Sequence, residues 1–491
     1  MRVSLIRNHW RVAVKHGFMS ALKTAGLYVT LSVAGLFTMT VAQAADGKPS
    51  IDYEMKVERA AQAAIWAIPA VAIWDVAVAT RRDLGGDVGD VIYFSRPMVS
   101  RHGFLTANDV TPYVLDSLTT ANGPVVVEVP AEGEKAAYFG SFLDAWQVPI
   151  VDVGLSGEDK GKGGKYLFLP PDYTGAVPDG YFVYRPQTYA VEVAFRPVAK
   201  NGGTIEEVVE YGKSLKIYKL SEAANPPRTR FIDAYPRKWN TLPTYDINYF
   251  KDINTIIQKE PVLDRDKAMM ALLASIGIEK GKPFAPDSET TKALEEGLRR
   301  AYDWMQHYFT TPGMSCTPMW EGSQWQVWNL SREQAKLGFP FVTDDRLLID
   351  ERAGYYFFAT ALPKNLGGDT FYLTGLRDNH GALFNGSSTY RLRVPKDTPA
   401  RDFWSVIVYS MKTKGFLDGR DRVGLSSKEV GKMTANADGS VDVYFAPKPP
   451  SGLKSNWIPT SEDFFLLFRL YGPEKPVFDK SWKLPDVEKV R

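Results

Sequence analysis

The chain has 491 residues, nearly balanced charges (59 Lys and Arg against 57 Asp and Glu, net +2) and 13% aromatic residues. This length predicts two or three domains, each large enough to bury its own core. The near-neutral charge lacks the basic excess that nucleic-acid binding uses, and the single cysteine excludes an internal disulfide.

The first 44 residues are predicted to be a secretory signal peptide. Five basic residues and no acidic residue precede an apolar run from Leu27 to Val41. The run is followed by the small-x-small pattern Ala42-Gln43-Ala44 of a cleavage site. An uncleaved membrane anchor is the alternative, but the apolar run is shorter than the roughly 20 residues of a spanning helix. Cleavage leaves a mature chain of net charge about −3 that is periplasmic or secreted and has no stable membrane insertion.

The next part of the chain alternates between helical and β patterns. A helix is predicted from about residue 53 to 82, kinked or divided at Pro69. Six strands follow, at 91–94, 124–129, 165–169, 181–184, 190–195 and 215–220. The Pro- and Arg-rich segment 223–243 is predicted to be a linker. Helices are then expected around 250–257, 268–276 and 294–308, the last with Asp287 as its N-cap.

Residues 371–482 read as an all-β sandwich. Runs of β-branched and aromatic residues at 371–375, 389–394, 403–409, 441–445 and 464–471 are separated by Gly, Pro, Asn and Asp clusters. The sequence thus predicts a mainly β protein with helical segments, of the α+β class, with two β-sandwich-type domains joined by a helical region. The predicted boundaries are 1–44 for the signal, 45–222 for the N-terminal domain with its leading helix, 223–320 for the connecting region and 321–491 for the C-terminal domain.

Both halves of the chain contain glycine-, proline- and aromatic-rich motifs. They lie at 156–167, 169–173 and 177–181 in the first half, at 274–284 in the middle, and at 403–409, 436–440, 456–459, 469–471 and 482–485 in the second. These motifs resemble a bacterial two-domain family built from domains of unknown function 1254 (N-terminal) and 1214 (C-terminal). The resemblance implies two β-sandwich-type domains with helices around and between them, and no established activity. The chain departs from the family at Val110 and Ser410, where a carboxylate often stands.

Polar and aromatic residues in strands otherwise suited to a core are the candidate functional residues. The catalytic candidates are His102 and Tyr113; the ligand-binding candidates are Asn108, Thr111, Arg196, Trp404, Asn456, Trp457 and Arg469. Arg469 interrupts the apolar run 464–471, where its burial is costly without a partner. The alternative interpretation is a structural arginine paired with a buried carboxylate, and tryptophans that fill the sandwich.

Other kinds of site have little support in the sequence. The histidines after the signal show no metal-ligand spacing, so neither a metal nor a cofactor is predicted. The Gly161–Gly164 segment lacks the Gly-Lys-Ser/Thr ending of a phosphate-binding loop. Cys316 is expected to be a buried, unreactive thiol, and His380 a turn residue.

Together these features predict an exported protein that binds, and hydrolyses or otherwise transforms, a small organic or carbohydrate-like molecule in a cleft lined by aromatic, Arg and Asn residues. Whether the protein is an enzyme stays open. A non-catalytic, envelope-associated binding or assembly module is the alternative, and a homo-oligomer is compatible with either function.

The export prediction can be tested directly on the mature protein. Cleavage after Ala44 should give a chain that begins at Ala45 or within a residue or two of it, because Ala42 and Ala44 supply the small side chains that signal peptidase requires. Intact-mass spectrometry of the protein purified from an exporting bacterial host measures this. A chain that begins at Met1 and remains in the membrane fraction would contradict the prediction.

Overall fold

A long buried helix, α1 (Ile51–Ala79), begins the part of the chain that the structure describes, which is residues 49–330, 332–365 and 370–490 of a computed structural model. Ser50 caps the helix by accepting a hydrogen bond from the backbone N–H of Tyr53 at 3.1 Å. The helix continues through Pro69 instead of dividing there, and it ends in a π turn, Thr80–Leu84. The predicted signal peptide lies outside the described residues.

Helix α1 is apolar on all sides because other elements surround it. It packs against four further helices and against a strand of the first sheet. The other α-helices are α2 (Ile205–Gly212), α3 (Ile247–Lys259), α4 (Lys267–Ser275), α5 (Ser288–Thr310), α6 (Arg332–Leu337), α7 (Ile349–Tyr356) and α8 (Lys475–Phe478). Ile51–Leu84 is long and apolar enough to cross a membrane, but 89% of its most apolar window is buried in the protein. Contacts with α3, α4, α5 and α7 account for that burial.

The N-terminal half forms a β-sandwich of two sheets. The strands are β1 (Val91–Tyr93), β2 (His102–Gly103), β3 (Val114–Thr119), β4 (Val125–Val129), β5 (Ala136–Asp144), β6 (Pro149–Gly154), β7 (Gly164–Phe168), β8 (Phe182–Tyr184), β9 (Ala190–Ala199), β10 (Lys216–Lys219), β11 (Phe231–Asp233) and β12 (Trp239–Asn240). The larger sheet has the order β11-β1-β3-β9-β5-β6 and the smaller one β10-β4-β7-β8, while β2 pairs with β12 alone. Side chains such as Val127, Phe142 and Phe195 fill the space between the two sheets.

The C-terminal half repeats this architecture. Its strands are β13 (Cys316–Pro318), β14 (Trp325–Trp328), β15 (Thr370–Gly375), β16 (Thr389–Val394), β17 (Ala400–Ser410), β18 (Gly424–Ser426), β19 (Val441–Ala446), β20 (Trp457–Pro459), β21 (Phe464–Pro473) and β22 (Glu488–Val490). The six-stranded sheet has the order β13-β14-β15-β21-β17-β18, and the four-stranded sheet the order β20-β19-β16-β22. Phe468, Val406 and Leu392 are among the residues that form the core between them.

Each six-stranded sheet also buries its second face. Leu115 of β3 and Leu143 of β5 join a central apolar cluster with α1, and so do Ile407 of β17 and Leu467 of β21. The helices and the second faces of the two large sheets therefore form one continuous core between the sandwiches. Strands buried on both faces are apolar along nearly their whole length, as β21 is except at Arg469.

The predicted α+β class is confirmed, with the N-terminal helix and the helices between the sandwiches. Asp287 caps α5 by accepting the backbone N–H of Thr290 at 2.7 Å, as predicted. The helix predicted at 268–276 is α4, whose buried residues are Met269 and Leu273, and Ile276 directly after it is also buried. Strands β3, β5 and β6 and helix α2 were not predicted, and the predicted linker 223–243 contains β11 and β12.

Cys316 opens β13 and is 1% exposed. Burial raises the pKa of its thiol to about 12, so the nucleophilic thiolate is strongly disfavoured. The prediction of a buried thiol is confirmed.

His102 anchors the short β2–β12 pair. Its side chain is 1% exposed, and Nδ1 accepts a hydrogen bond from the backbone N–H of Val99 at 3.0 Å. Nε2 therefore carries the proton and donates it to the carbonyl oxygen of Tyr235 at 3.1 Å. Burial, with a smaller contribution from the charge of Arg101, lowers the pKa of His102 to about 4. The folded protein thus holds this imidazole in its neutral form.

The neutral His102 predicts a specific loss of stability in acid. The unfolded chain takes up the proton below the ordinary pKa of 6.5, whereas the folded chain does so only near pH 4. The contribution of His102 to the free energy of unfolding is complete above pH 6.5 and is lost as the pH falls from 6.5 to about 4. Between pH 7 and pH 4.5 the free energy of unfolding should fall by roughly 2–3 kcal/mol more in wild type than in His102→Gln. Urea unfolding at the two pH values measures the difference.

The control for this experiment is His307→Gln, at an exposed histidine near the end of α5. Its pH dependence should follow that of wild type. Equal acid sensitivity of His102→Gln and wild type would show that His102 is not held neutral.

Candidate functional site

The register of the C-terminal large sheet places a set of polar side chains on its second face. Tyr372 of β15 and Ser405 of β17 are the cross-strand neighbours of Arg469 in β21. Residues directly opposite one another project on the same side of a sheet. Phe468 and Leu470, which flank Arg469 in sequence, project into the sandwich core instead. The arginine in the apolar run therefore faces the N-terminal half of the protein, together with its polar neighbours.

A loop from the N-terminal half, residues 104–113, covers this face. Arg469 donates from Nη2 to the carbonyl oxygen of Thr106 at 2.8 Å and from Nη1 to the hydroxyl of Tyr409 at 2.6 Å. The Tyr409 hydroxyl donates in turn to the carbonyl of Ala107. Thr106 adopts a φ of 41°, which is unfavourable for a β-branched residue. The strained backbone at Thr106 places its carbonyl against the buried guanidinium.

Asn108 and Tyr113 complete the loop. The Asn108 side-chain amide donates to the hydroxyl of Tyr471, and its Oδ1 accepts the backbone N–H of Val110 at 2.6 Å and that of Thr111 at 3.2 Å. The hydroxyl of Tyr113 accepts the backbone N–H of Asn108 at 3.0 Å. These bonds fix the loop in one conformation and join it to β21.

Arg196 supplies a second guanidinium from the N-terminal large sheet. It lies opposite Phe139 of β5 and donates from Nε and Nη2 to the hydroxyl of Thr111, at 3.0 and 2.6 Å. Its guanidinium carbon is 5.1 Å from the ring centre of Tyr113 and 5.2 Å from that of Phe139. Arg196 is partly exposed, whereas Arg469 is 2% exposed. We call Arg196, Arg469, the 104–113 loop and Tyr372, Tyr409 and Tyr471 the two-arginine cluster.

The cluster contains two cations and no ion pair. Among the described residues neither Arg196 nor Arg469 has a carboxylate within salt-bridge distance; their measured partners are hydroxyls and a carbonyl. Burial lowers the pKa of Arg469, but the surrounding tyrosines outweigh it and raise the pKa above its ordinary value, so the charge remains. Burial raises the pKa of Asp109 to about 6, against the opposing charge of Arg469. At neutral pH the Asp109 carboxyl is mostly ionised, so two cations against one carboxylate leave the site with a net positive charge.

Three buried polar atoms at this place lack a hydrogen-bond partner. They are Nε of Arg469, Oγ of Ser405 and Oδ1 of Asp109. Ser405 is fully buried, and the other carboxyl oxygen of Asp109 lies against Gly424 of the neighbouring strand β18. Buried polar groups in proteins are almost always paired. One donor and two acceptors without hydrogen-bond partners in this part of the protein therefore indicate a binding position for a polar ligand.

A cavity of about 250 Å³ lies further along the same sheet face. Its wall includes four aromatic residues, Tyr308, Trp328, Phe341 and Tyr355, and one acidic residue, Glu351. Trp328 donates from Nε1 to the hydroxyl of Thr374, which is two residues from Tyr372 on β15. The cavity is thus a neighbour of the cluster on the sheet.

Five of the nine residues predicted for the site come together in the cluster: Asn108, Thr111, Tyr113, Arg196 and Arg469. The other four lie elsewhere. Both nitrogens of His102 are occupied by backbone groups, and the rings of Phe94, Trp239 and Phe104 separate it from Tyr113.

The remaining predicted residues belong to the C-terminal sandwich. Trp404 projects to the core side of β17 and stacks on Phe468 at 5.5 Å. Asn456 bonds to backbone groups of Thr434 and Asp442, and Trp457 donates from Nε1 to the carbonyl of Ala446. Each of these side chains holds the four-stranded sheet or the core in place.

Sequence reasoning missed Tyr372, Ser405 and Asp109, and it did not place Tyr409 or Tyr471 in the site. Alternation along the strands was the signal that could have found most of them. Thr370, Tyr372 and Thr374 share one side of β15, and Ser405 and Tyr409 share one side of β17. Pairing those sides with Arg469, however, requires the strand order, which the sequence does not contain.

Comparison with known proteins agrees with the division into two halves. The family model DUF1254, a protein of unknown function, matches residues 88–219, and DUF1214, also of unknown function, matches residues 369–475. No curated protein matches the sequence.

Two solved structures are similar to this chain. The VPA0106 protein from Vibrio parahaemolyticus is 19% identical, with a TM-score of 0.53 over 89% of this chain and 100% of its own. A putative uncharacterized protein from Burkholderia cenocepacia is 12% identical, with a TM-score of 0.39 over 90% of this chain and 96% of its own. The first likeness supports the fold alone.

The two-arginine cluster draws residues from both matched regions: Asn108 and Arg196 lie in the first, and Tyr372 and Arg469 in the second. A site built in this way requires both regions in one chain. The chain therefore carries a DUF1254 region followed by a DUF1214 region, as its motifs predicted.

Proposed function

We propose that this protein binds a small organic anion, such as a carboxylate, at the two-arginine cluster, and that it does so outside the inner membrane after export. The observation that carries the proposal is the state of Arg469. Its guanidinium is buried and charged, it has no carboxylate partner among the described residues, and its Nε–H is unpaired. A carboxylate supplies the acceptor that this donor lacks.

The remaining groups of the cluster suit the same ligand. Arg196 is partly exposed, so its side chain is less deeply buried than that of Arg469. Planar guanidinium groups bind carboxylates through two parallel hydrogen bonds, which an ammonium group cannot do. The rings of Tyr113, Phe139 and Tyr372 around the two cations supply contact for the organic part of the molecule.

Export supports the same function only indirectly. The predicted signal peptide would place the mature protein where small organic acids and glycan fragments arrive from outside the cell. A hydroxyl such as that of Ser405 and an amide such as that of Asn108 are groups that recognise the hydroxyls of a sugar acid, and the Ser405 hydroxyl has no partner in the protein. A uronate or another hydroxylated carboxylate combines the anionic and the carbohydrate-like features that the sequence suggested.

The binding proposal predicts different results for Arg469 variants and for a matched arginine elsewhere. The mature protein is titrated with acetate, succinate, citrate, galacturonate and phosphate, and with neutral glucose and maltose, by calorimetry and thermal shift. At least one carboxylate should raise the melting temperature of wild type, and Arg469→Met should abolish this effect, because it removes the charge and the open Nε–H. The variant loses two hydrogen bonds from the guanidinium but also removes a buried charge that lacks an ion pair, so its stability should fall by only about 1–3 kcal/mol.

Two further variants make the result specific. Arg469→Lys keeps the charge without the planar fork and should bind at least tenfold more weakly than wild type. Arg393→Met is the control, because Arg393 is a strand arginine on β16 that pairs with Asp442 far along the sandwich from the cluster. It should bind like wild type. Stabilisation by neutral sugars only, or carboxylate binding that survives Arg469→Met, would refute the proposal.

A further inference from the structure

Tyr372 occupies a special position in the two-arginine cluster. It is the cross-strand neighbour of Arg469, whose guanidinium carbon is 5.2 Å from the centre of its ring. Tyr372 is only partly buried, whereas Tyr409 and Tyr471 on the same face are 0% and 6% exposed. Tyr372 is therefore the least buried of the three tyrosines on this sheet face.

The charges that face Tyr372 favour the loss of its proton. Burial by itself raises the pKa of Tyr372, but the positive charges of Arg469 and Arg196 together outweigh burial and lower it. The titratable groups around it come from every element packed there: Arg469 and Tyr471 of β21, Arg196 of β9, Tyr409 of β17, Asp109 and Tyr113 of the 104–113 loop, and Tyr355 of α7.

Tyr471 competes with Tyr372 for the same two cations. The two phenols titrate together, and the pKa of Tyr471 is raised, mainly by burial and also by Tyr372. The Tyr471 hydroxyl also accepts a hydrogen bond from the side-chain amide of Asn108. Tyr409 has a pKa well above the ordinary value because it is buried. Of the three tyrosines on this sheet face, Tyr372 is therefore the one that loses its proton most readily.

We propose that Tyr372 is the general base of the two-arginine site and removes a proton from the carbon next to the carboxylate or carbonyl group of the bound anion. This inference rests on the proposed anion-binding function. In the step, the C–H bond of the ligand breaks, an O–H bond forms on Tyr372, and the electron pair remains on the ligand as an enolate. Arg196 and Arg469 hold the developing negative charge. Return of the proton closes the cycle, so the step needs no oxidant, reductant or second substrate.

The ionisation of Tyr372 is measured by a pH titration of the ultraviolet absorbance of tyrosinate. In wild type, one tyrosine should ionise ahead of the others, below the ordinary pKa of about 10. Tyr372→Phe should lack this early transition, and Arg469→Met should move it to higher pH because half of the stabilising charge is gone. An early transition that persists in Tyr372→Phe, or none in wild type, overturns the proposal.

Tyr444→Phe provides a matched control. Tyr444 is also the cross-strand neighbour of an arginine, Arg391, but that arginine is paired with Glu488 at 2.5 Å. A carboxylate already neutralises the cation there, so the early transition should be unchanged in Tyr444→Phe.

Proton abstraction itself is measured with pyruvate, which carries a carboxylate and an acidic C–H next to a carbonyl. In deuterated water, nuclear magnetic resonance should show the methyl hydrogens of pyruvate exchanging at least tenfold faster with wild type than with Tyr372→Phe. Equal rates overturn the role of Tyr372 as a base. Carboxylate binding should persist in Tyr372→Phe and fail in Arg469→Met, so a failure of the base and a failure of the anion site are distinguishable.

Discussion

A six-stranded sheet whose two faces are both buried needs two partners, and this constraint shapes the whole protein. In each half, a four-stranded sheet covers only one face of the large sheet. The other face is covered by α1, by the helices around it and by the opposite half of the chain. Beyond its first two turns helix α1 is buried on nearly all sides for this reason, and it resembles a membrane span in composition while it forms the centre of the shared core. The two halves are consequently held together by a shared hydrophobic core as well as by the chain.

Because both faces of the large sheets are buried, the two-arginine cluster has a high cost in folding free energy. On the second faces of the central strands β9 and β21, polar side chains replace the apolar ones, and the two guanidiniums have hydroxyl and carbonyl partners in place of carboxylates. Burying a charge without a counter-ion costs several kcal/mol unless other groups solvate it, as a general magnitude. Here the carbonyl of Thr106, the hydroxyls of Thr111 and Tyr409, and the faces of aromatic rings do so. The positive φ of Thr106 is part of that cost.

The features that the sequence predicted are those with strong local signals. The strand 464–471 was identified because its run of apolar residues is unbroken except at Arg469, and α5 because its stripe follows a capping Asp287. Strand β5 was missed because it contains small residues and Gly140, where a Cβ would lie 2.7 Å from the Cα of Phe195. That close approach is visible only once β9 lies beside β5. Tyr372 was missed for the same reason, since its role depends on its cross-strand neighbour Arg469, which lies about a hundred residues further along the chain. Arg469 could be recognised alone, because a lone charge in an apolar run is anomalous wherever the run folds.

A purely structural role for the cluster explains some of its contacts and leaves others without a reason. A joint between two domains would account for the bonds from Arg469 to Thr106 and Tyr409, since they cross from one half to the other. It would not account for the unpaired Nε of Arg469. The carboxyl of Asp109 is close enough for the charge of Arg469 to oppose the rise in the pKa of Asp109, yet the two residues form no ion pair. A purely structural joint would be stronger if they did. Nor would it account for Arg196, which faces partly toward solvent with a hydroxyl as its hydrogen-bond partner. A site with two cations, a single nearby carboxylate and one unused donor would gain stability from the anion proposed above, and an interdomain position would let that anion strengthen the contact between the two halves. The proposed binding and the structural joint then depend on the same residues.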